Sequence, residues 1–254
     1  MTQKFSIITP SFNQSEFIEQ TIHSVLDQDY PALEYLILDG GSTDGTAEIV
    51  RTQAESHPDT VWFRSEKDEG QVAAINEGLQ KAAGDIVAFI NSDDTYLPGA
   101  FAAVSRYFEE HPDVQWAVGD CEVSEPRLAW TFRLKWLAPF HRAAWVLLIF
   151  NFINQPGVFL RREFVQQVGP FNPAYPLAFD YEYWLRCIRR SLPGRIDRKL
   201  AFFRVQPASK SSGSYASQFE ESLTLARSYS SSSFVTLIQK IIAWAAKAVY
   251  RSRK

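Results

Sequence analysis

Cysteine is nearly absent from this chain of 254 residues, with only Cys121 and Cys187. Two so far apart exclude a disulfide framework and a zinc cluster, and they fit a reducing compartment. Long apolar runs are missing too. About 20 residues are needed to cross a bilayer, whereas Ala143–Phe150 is much shorter. The start, MTQKFSIITPSFN, has neither a basic leader nor a long apolar core, so no signal peptide is expected and the protein reads as cytoplasmic. Glycines in GGSTDGT allow tight turns, yet the stretch is neither GxGxxG nor a Walker loop, which disfavours a dinucleotide fold and a P-loop ATPase. Nothing calls for nucleic acid as a partner.

Acidic residues are absent from Ser222 onward, while Arg227, Lys240, Lys247, Arg251, Arg253 and Lys254 lie there. That leaves −9 on the remainder of a chain with formal net charge −3. In FVTLIQKIIAWAAKAVYRSRK, Lys240, Lys247, Arg251 and Lys254 fall on one side of a helix and Ile238, Ile241, Ile242, Ala245 and Val249 on the other. Two readings stand: a helix resting on an anionic membrane surface, or a packing helix with a solvated face. Aromatic residues are plentiful, with 7 Trp, 10 Tyr and 19 Phe. They suit sugar rings as well as cores.

The first 97 residues alternate between two periods. Phe5–Thr9, Tyr35–Leu38, Val61–Arg64 and Ile86–Ile90 predict strands, and Ser15–Asp27, Thr46–Glu55 and Gln71–Ala82 predict helices. This order implies a parallel sheet with helices on its faces. Beyond it, Ala100–Glu110 and Tyr181–Arg190 read as helices, and Trp116–Val123, Val158–Leu160 and Lys199–Val205 as strands. Within the aromatic-rich segment Trp136–Ile153, the apolar run Ala143–Phe150 reads as a buried or acceptor-side helix, with partial insertion at a membrane surface the alternative, and SYSSSSF reads as a linker to the tail helix.

Ligands of an open parallel sheet bind beyond the carboxyl ends of its strands. Just past the four predicted strands stand Thr9, Ser11 and Asn13, then Asp39, then Glu66 and Asp68, then Asp93 and Asp94. Each has a structural excuse. Ser15 or Asn13 can cap a helix, Asp44 can cap the next, Asp68 can turn the chain, and Pro98 can open a helix. Adjacent carboxylates are harder to excuse, because they repel by roughly 1 kcal/mol or more when partly screened. A divalent cation beside Asp93 and Asp94 removes that cost. Phosphate would then be held through metal.

Taken in order, SIITPSFNQSEFIEQTIHSVLDQDYPALEYLILDGGSTDGT, SEKDEGQVAAINEGLQKAAGDIVAFINSDD and FDYEYWLR resemble the family 2 inverting glycosyltransferases over roughly residues 4–211. The resemblance implies the GT-A fold: a Rossmann-like α/β architecture with a mostly parallel central sheet flanked by helices. It implies a domain over 1–215, with a nucleotide-binding half (1–97) and an acceptor half (98–215), and a C-terminal helical extension over 216–254. It also implies transfer of a sugar from a nucleoside diphosphate donor, UDP-linked by preference, to a hydroxyl of a glycan or lipid-linked acceptor in polysaccharide or glycolipid assembly. By that likeness Thr9, Ser11 and Asn13 line the nucleotide pocket and Asp39 reads the base. Asp68 and Gln71 lie along the nucleotide or sugar, Asp93 is near the ribose, and Asp94 binds Mn²⁺ or Mg²⁺. Asp180 is the catalytic base, with Glu182 its rival.

Gln206 stands where the family more often has a histidine that contacts metal or diphosphate. A neutral amide is a weaker ligand, so Asp94, Arg204 or Lys210 would carry more of the phosphate charge. The same substitution motivates an alternative: a catalytically impaired protein on this scaffold that binds nucleotide sugar or glycan. Gln155 reads either as a hydroxyl-binding group or as a partner for backbone. A sugar nucleotidyltransferase would need a glycine-rich basic loop after the first strand, where TPSFNQ stands.

Overall fold

The computed structural model describes residues 2–124, 147–148, 151–206, 215–230 and 237. Within them the chain runs β1 (Phe5–Ser11), α1 (Ile18–Leu26), β2 (Leu33–Asp39), α2 (Thr46–Ser56), β3 (Val61–Ser65), α3 (Gln71–Lys81), β4 (Ile86–Phe89), β5 (Thr95–Tyr96), α4 (Ala100–Glu110) and β6 (Trp116–Val123). A single 3-10 turn (Gln155–Gly157) leads into β7 (Val158–Arg161), followed by α5 (Arg162–Val168), α6 (Phe179–Arg190), β8 (Gly194–Phe203) and α7 (Tyr215–Tyr229). The aromatic segment 136–153 is described only in part. Ala143–Val146, Ile149, Phe150, Lys210 and the tail helix beyond Leu237 lie outside the described residues, as does most of the predicted linker.

The eight strands form one sheet in the order β3-β2-β1-β4-β7-β6-β8-β5. β1 is parallel to β2 and β4, and β2 to β3, as the βα alternation requires. β7 is antiparallel to both β4 and β6, and β6 is parallel to β8. Two reversals restore the direction. The carboxyl ends of β1, β2, β3, β4, β6 and β8 therefore share one edge, where β7 also begins.

Strand alternation sends side chains to two cores. Phe5 and Ile7 face α1, α2 and α4 with Ile22, Val50 and Phe101, while Ile8, Leu36 and Phe89 face α3, α5, α6 and α7 with Ile75, Phe164, Trp184 and Leu225. Burial of each such side chain stabilises the fold by roughly 1.5–3 kcal/mol. α7 contributes buried Leu225 and Ala226 to the same core as α6.

Several local expectations need correction. α1 begins at Ile18 with Phe17 as its N-cap, so neither Ser15 nor Asn13 caps it. Asn13 instead adopts φ +52, and its side chain accepts a bond from the Thr43 N–H at 3.0 Å. Pro98 does not open a helix; Gly99 at φ +74 follows it, and α4 starts at Ala100. Strand β5 and the early start of β8 at Gly194 escape the sequence pattern, because a two-residue strand is too short to show alternation and Ile196 is the one large apolar residue in GRIDRK. Helix α5 was likewise absent from that pattern.

The N-cap of α2 is Gly45, at φ +97, and not Asp44, which stands one residue earlier and still braces the helix start. The Asp44 carboxylate accepts from the Thr46 N–H (3.0 Å) and hydroxyl (2.5 Å) and from the Ser15 N–H (3.0 Å), tying the start of α2 to the loop after β1. Slight burial disfavours its charge, but these hydrogen bonds outweigh it and lower the pKa from 3.8 to about 2. A depressed carboxylate adds stability above its unfolded pKa and loses it as pH falls through the folded value. Asp44→Ala is expected to cost about 1 kcal/mol at neutral pH. In denaturant titrations that deficit should shrink between pH 4 and pH 2; an equal deficit at both ends would refute this role.

Candidate active site

Register assembles the first part of the site. Ser11 of β1 lies opposite Asp39 of β2, and Asp39 opposite Ser65 of β3. Asp39 is fully buried. Its carboxylate accepts from the Ser65 hydroxyl (2.6 Å), the Gly41 and Ser42 N–H groups (3.1 and 2.9 Å) and the Ser42 hydroxyl (2.5 Å). These bonds fold GGS back over the strand end, and Gly41 takes φ +82 to make that turn. Thr9 is also fully buried two residues before the end of β1, and its hydroxyl pairs with that of Tyr35 at 3.0 Å, so it supports the edge from within. Ser11 is buried, with a hydroxyl that has no hydrogen-bond partner among the described residues.

One residue that the sequence reading missed stands here. Phe12 is 59% exposed, unusual for a large apolar ring. A Cβ at Gly40 would lie 3.4 Å from that ring and 3.2 Å from the Asp68 carboxylate, so the absence of a side chain keeps a gap between them. Asp68 accepts from the Gly70 N–H at 2.8 Å and pairs with Arg64 at 3.3 Å. Arg64 also holds Glu77 (2.7 Å) and the Asp39 and Glu66 carbonyls, joining the ends of β2 and β3 to α3.

The second part gathers around Asp93 and Asp94. Directly after them, β5 pairs antiparallel with β8, Thr95 opposite Phe202 and Tyr96 opposite Ala201. That pairing draws the end of β8 onto the two acids. The Arg204 N–H bonds Asp94 Oδ1 at 2.9 Å, Arg204 Nε bonds the Asp93 carbonyl at 2.9 Å, and Gln206 Nε2 bonds Asp93 Oδ2 at 2.6 Å. Gln206 therefore touches an acid of the pair. From the other side, Gln71 Nε2 donates to Asn91 Oδ1 at 2.8 Å, and the Asn91 amide approaches Asp94 Oδ2 at 3.4 Å. Thr21 of α1 holds the Asp94 carbonyl at 2.8 Å.

Asp94 is 1% exposed. Burial pushes its carboxyl well above the usual range and the neighbouring Asp93 adds to this, against the Arg204 N–H and Asn91. Burial also raises Asp93, opposed by Gln206 and Arg204. A buried acid beside a half-buried one, both with raised pKa values, favours a cation next to them. Among the described residues no group of three His, Cys, Asp or Glu side chains surrounds a point. A magnesium-like ion needs only one or two carboxylates when phosphates and water complete its shell, so this donor set fits.

An aromatic cluster positions the third part. Phe171 is fixed to α3 by two reciprocal bonds with Asn76, at 2.7 and 2.9 Å. It packs against Phe89 at the end of β4 (5.3 Å), Phe179 at the start of α6 (5.7 Å) and Tyr183 (3.9 Å). Phe89 and Phe179 are themselves 6.1 Å apart. The first turn of α6, with Asp180 at its second position, is thereby set against the strand that leads into Asp93. Asp180 Oδ1 accepts from the Tyr181 N–H at 2.7 Å. Its rival Glu182 is 4% exposed, with oxygens on Arg186 (2.8–3.0 Å) and the Tyr229 hydroxyl (3.0 Å). Glu182 is thus a buried ion-pair member. Gln155 donates to the Phe89 carbonyl, the backbone partner anticipated for it, yet its Oε1 is buried without a partner among the described residues.

The chain matches the family model described as Glycosyl transferase family 2 over residues 6–169. It is 42% identical over 91 residues to a putative teichuronic acid biosynthesis glycosyltransferase of Bacillus subtilis, 36% of each chain. To a PGL/p-HBAD biosynthesis glycosyltransferase of Mycobacterium tuberculosis it is 28% identical over 186 residues, 72% of this chain and 69% of the relative. By fold it is similar to Staphylococcus aureus TarS 1-349 in complex with UDP-GlcNAc, with TM-score 0.70 and 18% identity over 89% of this chain and 66% of that one. It is likewise similar to the mannosyltransferase PcManGT of Pyrobaculum calidifontis in complex with GDP-Man and Mn²⁺, with TM-score 0.65 and 22% identity over 98% and 76%. With that family match over most of the chain, and a mixed sheet whose strand ends converge on one acidic edge, the protein belongs to glycosyltransferase family 2.

Proposed function

We propose that the protein is a metal-dependent inverting glycosyltransferase, moving a sugar from a nucleoside diphosphate to a hydroxyl of a glycan or lipid-linked acceptor in polysaccharide or glycolipid assembly. The observation that carries this reading is the packing of Phe89, at the end of the strand that leads toward Asp93 and Asp94, against Phe179, the neighbour of Asp180 in the first turn of α6.

Under this reading Asp94 would hold Mn²⁺ or Mg²⁺, with Asp93 beside the ribose. When bound, the ion would neutralise the charge that develops on the diphosphate as the glycosidic bond breaks. Arg204 and Gln206, brought to the same acids by β8, orient them. Asp180 takes the proton from the acceptor hydroxyl as that oxygen attacks the anomeric carbon from the face opposite the diphosphate. Ser11, Asn13 and Asp39 shape the nucleotide end, with Thr9 supporting it from within, and Asp68 and Gln71 flank the ribose and sugar. Phe12 offers its exposed ring to the base. A UDP donor is favoured because a carboxylate at Asp39 suits a pyrimidine imino group, which requires Ser42 to release Asp39 Oδ1. No helix among the described residues is long and apolar enough to cross a membrane; the basic residues after Ser222 would hold the protein to an anionic surface.

A donor panel tests this. UDP-, GDP- and dTDP-sugars are added with and without Mn²⁺ while the melting temperature is followed, since a bound ligand stabilises by mass action. A UDP-sugar should raise the melting temperature only with the ion present. Phe12→Ala should weaken that donor roughly 10-fold through lost stacking. No shift with any donor would sink the reading. The alternative of an impaired binding protein, motivated by Gln206 on Asp93, predicts the same shifts with no turnover.

A further inference from the structure

α6 lacks a cap of its own. Ala178 stands at its N-cap position and provides no side-chain hydrogen bond. The residues before it, NPAYPLA, contain Pro173 and Pro176, which donate nothing. A helix start left open in this way frays.

The missing acceptor comes from elsewhere in the chain. Glu221 of α7 places Oε2 3.1 Å from the backbone nitrogens of both Leu177 and Ala178. One carboxylate oxygen therefore closes the turn two residues before Asp180, and its charge sits at the positive end of the helix. Three further contacts keep α7 alongside α6. The Tyr229 hydroxyl donates to Glu182 at 3.0 Å, Arg189 donates to the Tyr229 carbonyl at 3.0 Å, and the Arg189 guanidinium lies 4.3 Å from the centre of the Tyr229 ring. Leu225 and Ala226, 1% and 2% exposed, fill the space between. Glu221 meets the residues that lead into α6, and Tyr229 reaches both Glu182 in its first turn and Arg189 in its last.

We infer that Glu221 is a positioning residue for Asp180: by capping α6 from α7 it fixes the backbone that carries the base, and so makes α7, which lies beyond the family-matched segment 6–169, part of the transfer machinery. This rests on the reading of Asp180 as the base. A base must lie within hydrogen-bond reach of the attacking hydroxyl, and a misplacement of about 1 Å costs on the order of 100-fold. Loss of the carboxylate would free the Leu177 N–H and leave the Ala178 N–H only the Tyr175 carbonyl at 3.3 Å, letting the first turn, with Asp180 in it, drift.

The test uses the full chain with the donor that responds in the panel above, turnover being read as released nucleoside diphosphate. Glu221→Ala is expected to lower kcat between about 10-fold and 100-fold, with the donor KM and the nucleotide Kd within twofold of wild type, because the nucleotide half is untouched. Glu221→Gln keeps an acceptor oxygen and should stay within threefold. Glu221→Asp, too short to reach both nitrogens, should fall between. Thr224→Ala, on the exposed side of α7, should match wild type. Hydrogen exchange at residues 177–182 should quicken in the Ala and Asp variants only. If Asp180→Asn abolishes turnover while Glu221→Ala and Glu221→Asp retain wild-type kcat, the positioning role is wrong and the base assignment stands. Equal losses in kcat and nucleotide affinity across all Glu221 variants would also overturn it, showing a fold defect. An Asp180→Asn protein as active as wild type would instead refute the underlying assignment.

Discussion

Asp180→Asn should leave a folded protein that binds its nucleotide sugar as tightly as wild type and transfers the sugar about 100-fold to 10,000-fold more slowly, the range by which a positioned base accelerates reaction. The amide has nearly the shape of the carboxylate and can still accept from the Tyr181 N–H, so α6 keeps its first turn. What it loses is the ability to take a proton. Glu182 cannot substitute, since its oxygens are held by Arg186 and Tyr229 in a buried pair. Breaking that pair costs stability, and about 3–5 kcal/mol is typical when one member of a buried pair is removed. Glu182→Gln should therefore appear chiefly in the melting temperature and Asp180→Asn chiefly in kcat. Turnover by Asp180→Asn equal to wild type, with donor binding intact, would remove the base from the mechanism.

Asp94→Asn should abolish the part of donor binding that depends on the metal and lower turnover by about 100-fold or more, the cost of removing one preorganised electrostatic contact to the developing charge. The variant should also be at least as stable as wild type without metal. Asp94 is 1% exposed, and its charged form is disfavoured by burial and by Asp93; a neutral amide of the same shape escapes that penalty. Because the wild-type carboxyl is raised, its share of metal-free stability is present at low pH and lost as pH rises through the folded value. Added Mn²⁺ should recover it in wild type and not in Asp94→Asn. Thermal melts of both proteins across pH, with Mn²⁺ or with EDTA, measure this directly. An ion-dependent shift in Asp94→Asn as large as that of wild type would place the metal elsewhere.

The strand ends that converge on one edge were readable in the amino-acid order because local pattern sets them. Alternation and apolar runs place β1 to β4, and polar residues follow those runs at Ser11, Asp39, Glu66 and Asp93; the part of Ser65 appears only in the register of β2 with β3. Asp93 and Asp94 declare themselves by repulsion alone, and the exclusion of a glycine cradle points the same way. Phe12 could not be recognised in the same manner. An aromatic residue next to a strand is ordinarily part of a core, and only the folded chain reveals that this ring is exposed beside Gly40. Asp180 and Glu182 stand two residues apart in the sequence as rivals for one role, and only the folded chain reveals that the Glu182 oxygens are engaged by Arg186 and Tyr229.

The βα order, the acidic edge and the family likeness are properties of neighbouring residues, so the linear chain suffices to establish them. Contacts across long separations are different, for they depend on which surfaces pack and on how many strands reverse. Gln206 reaches Asp93 across 113 positions because β5 and β8 pair, and Glu221 reaches Ala178 across 43 because α7 lies along α6. No periodicity records either meeting: each arises from burial of apolar faces that bring the two segments together, and the polar contact follows from that packing.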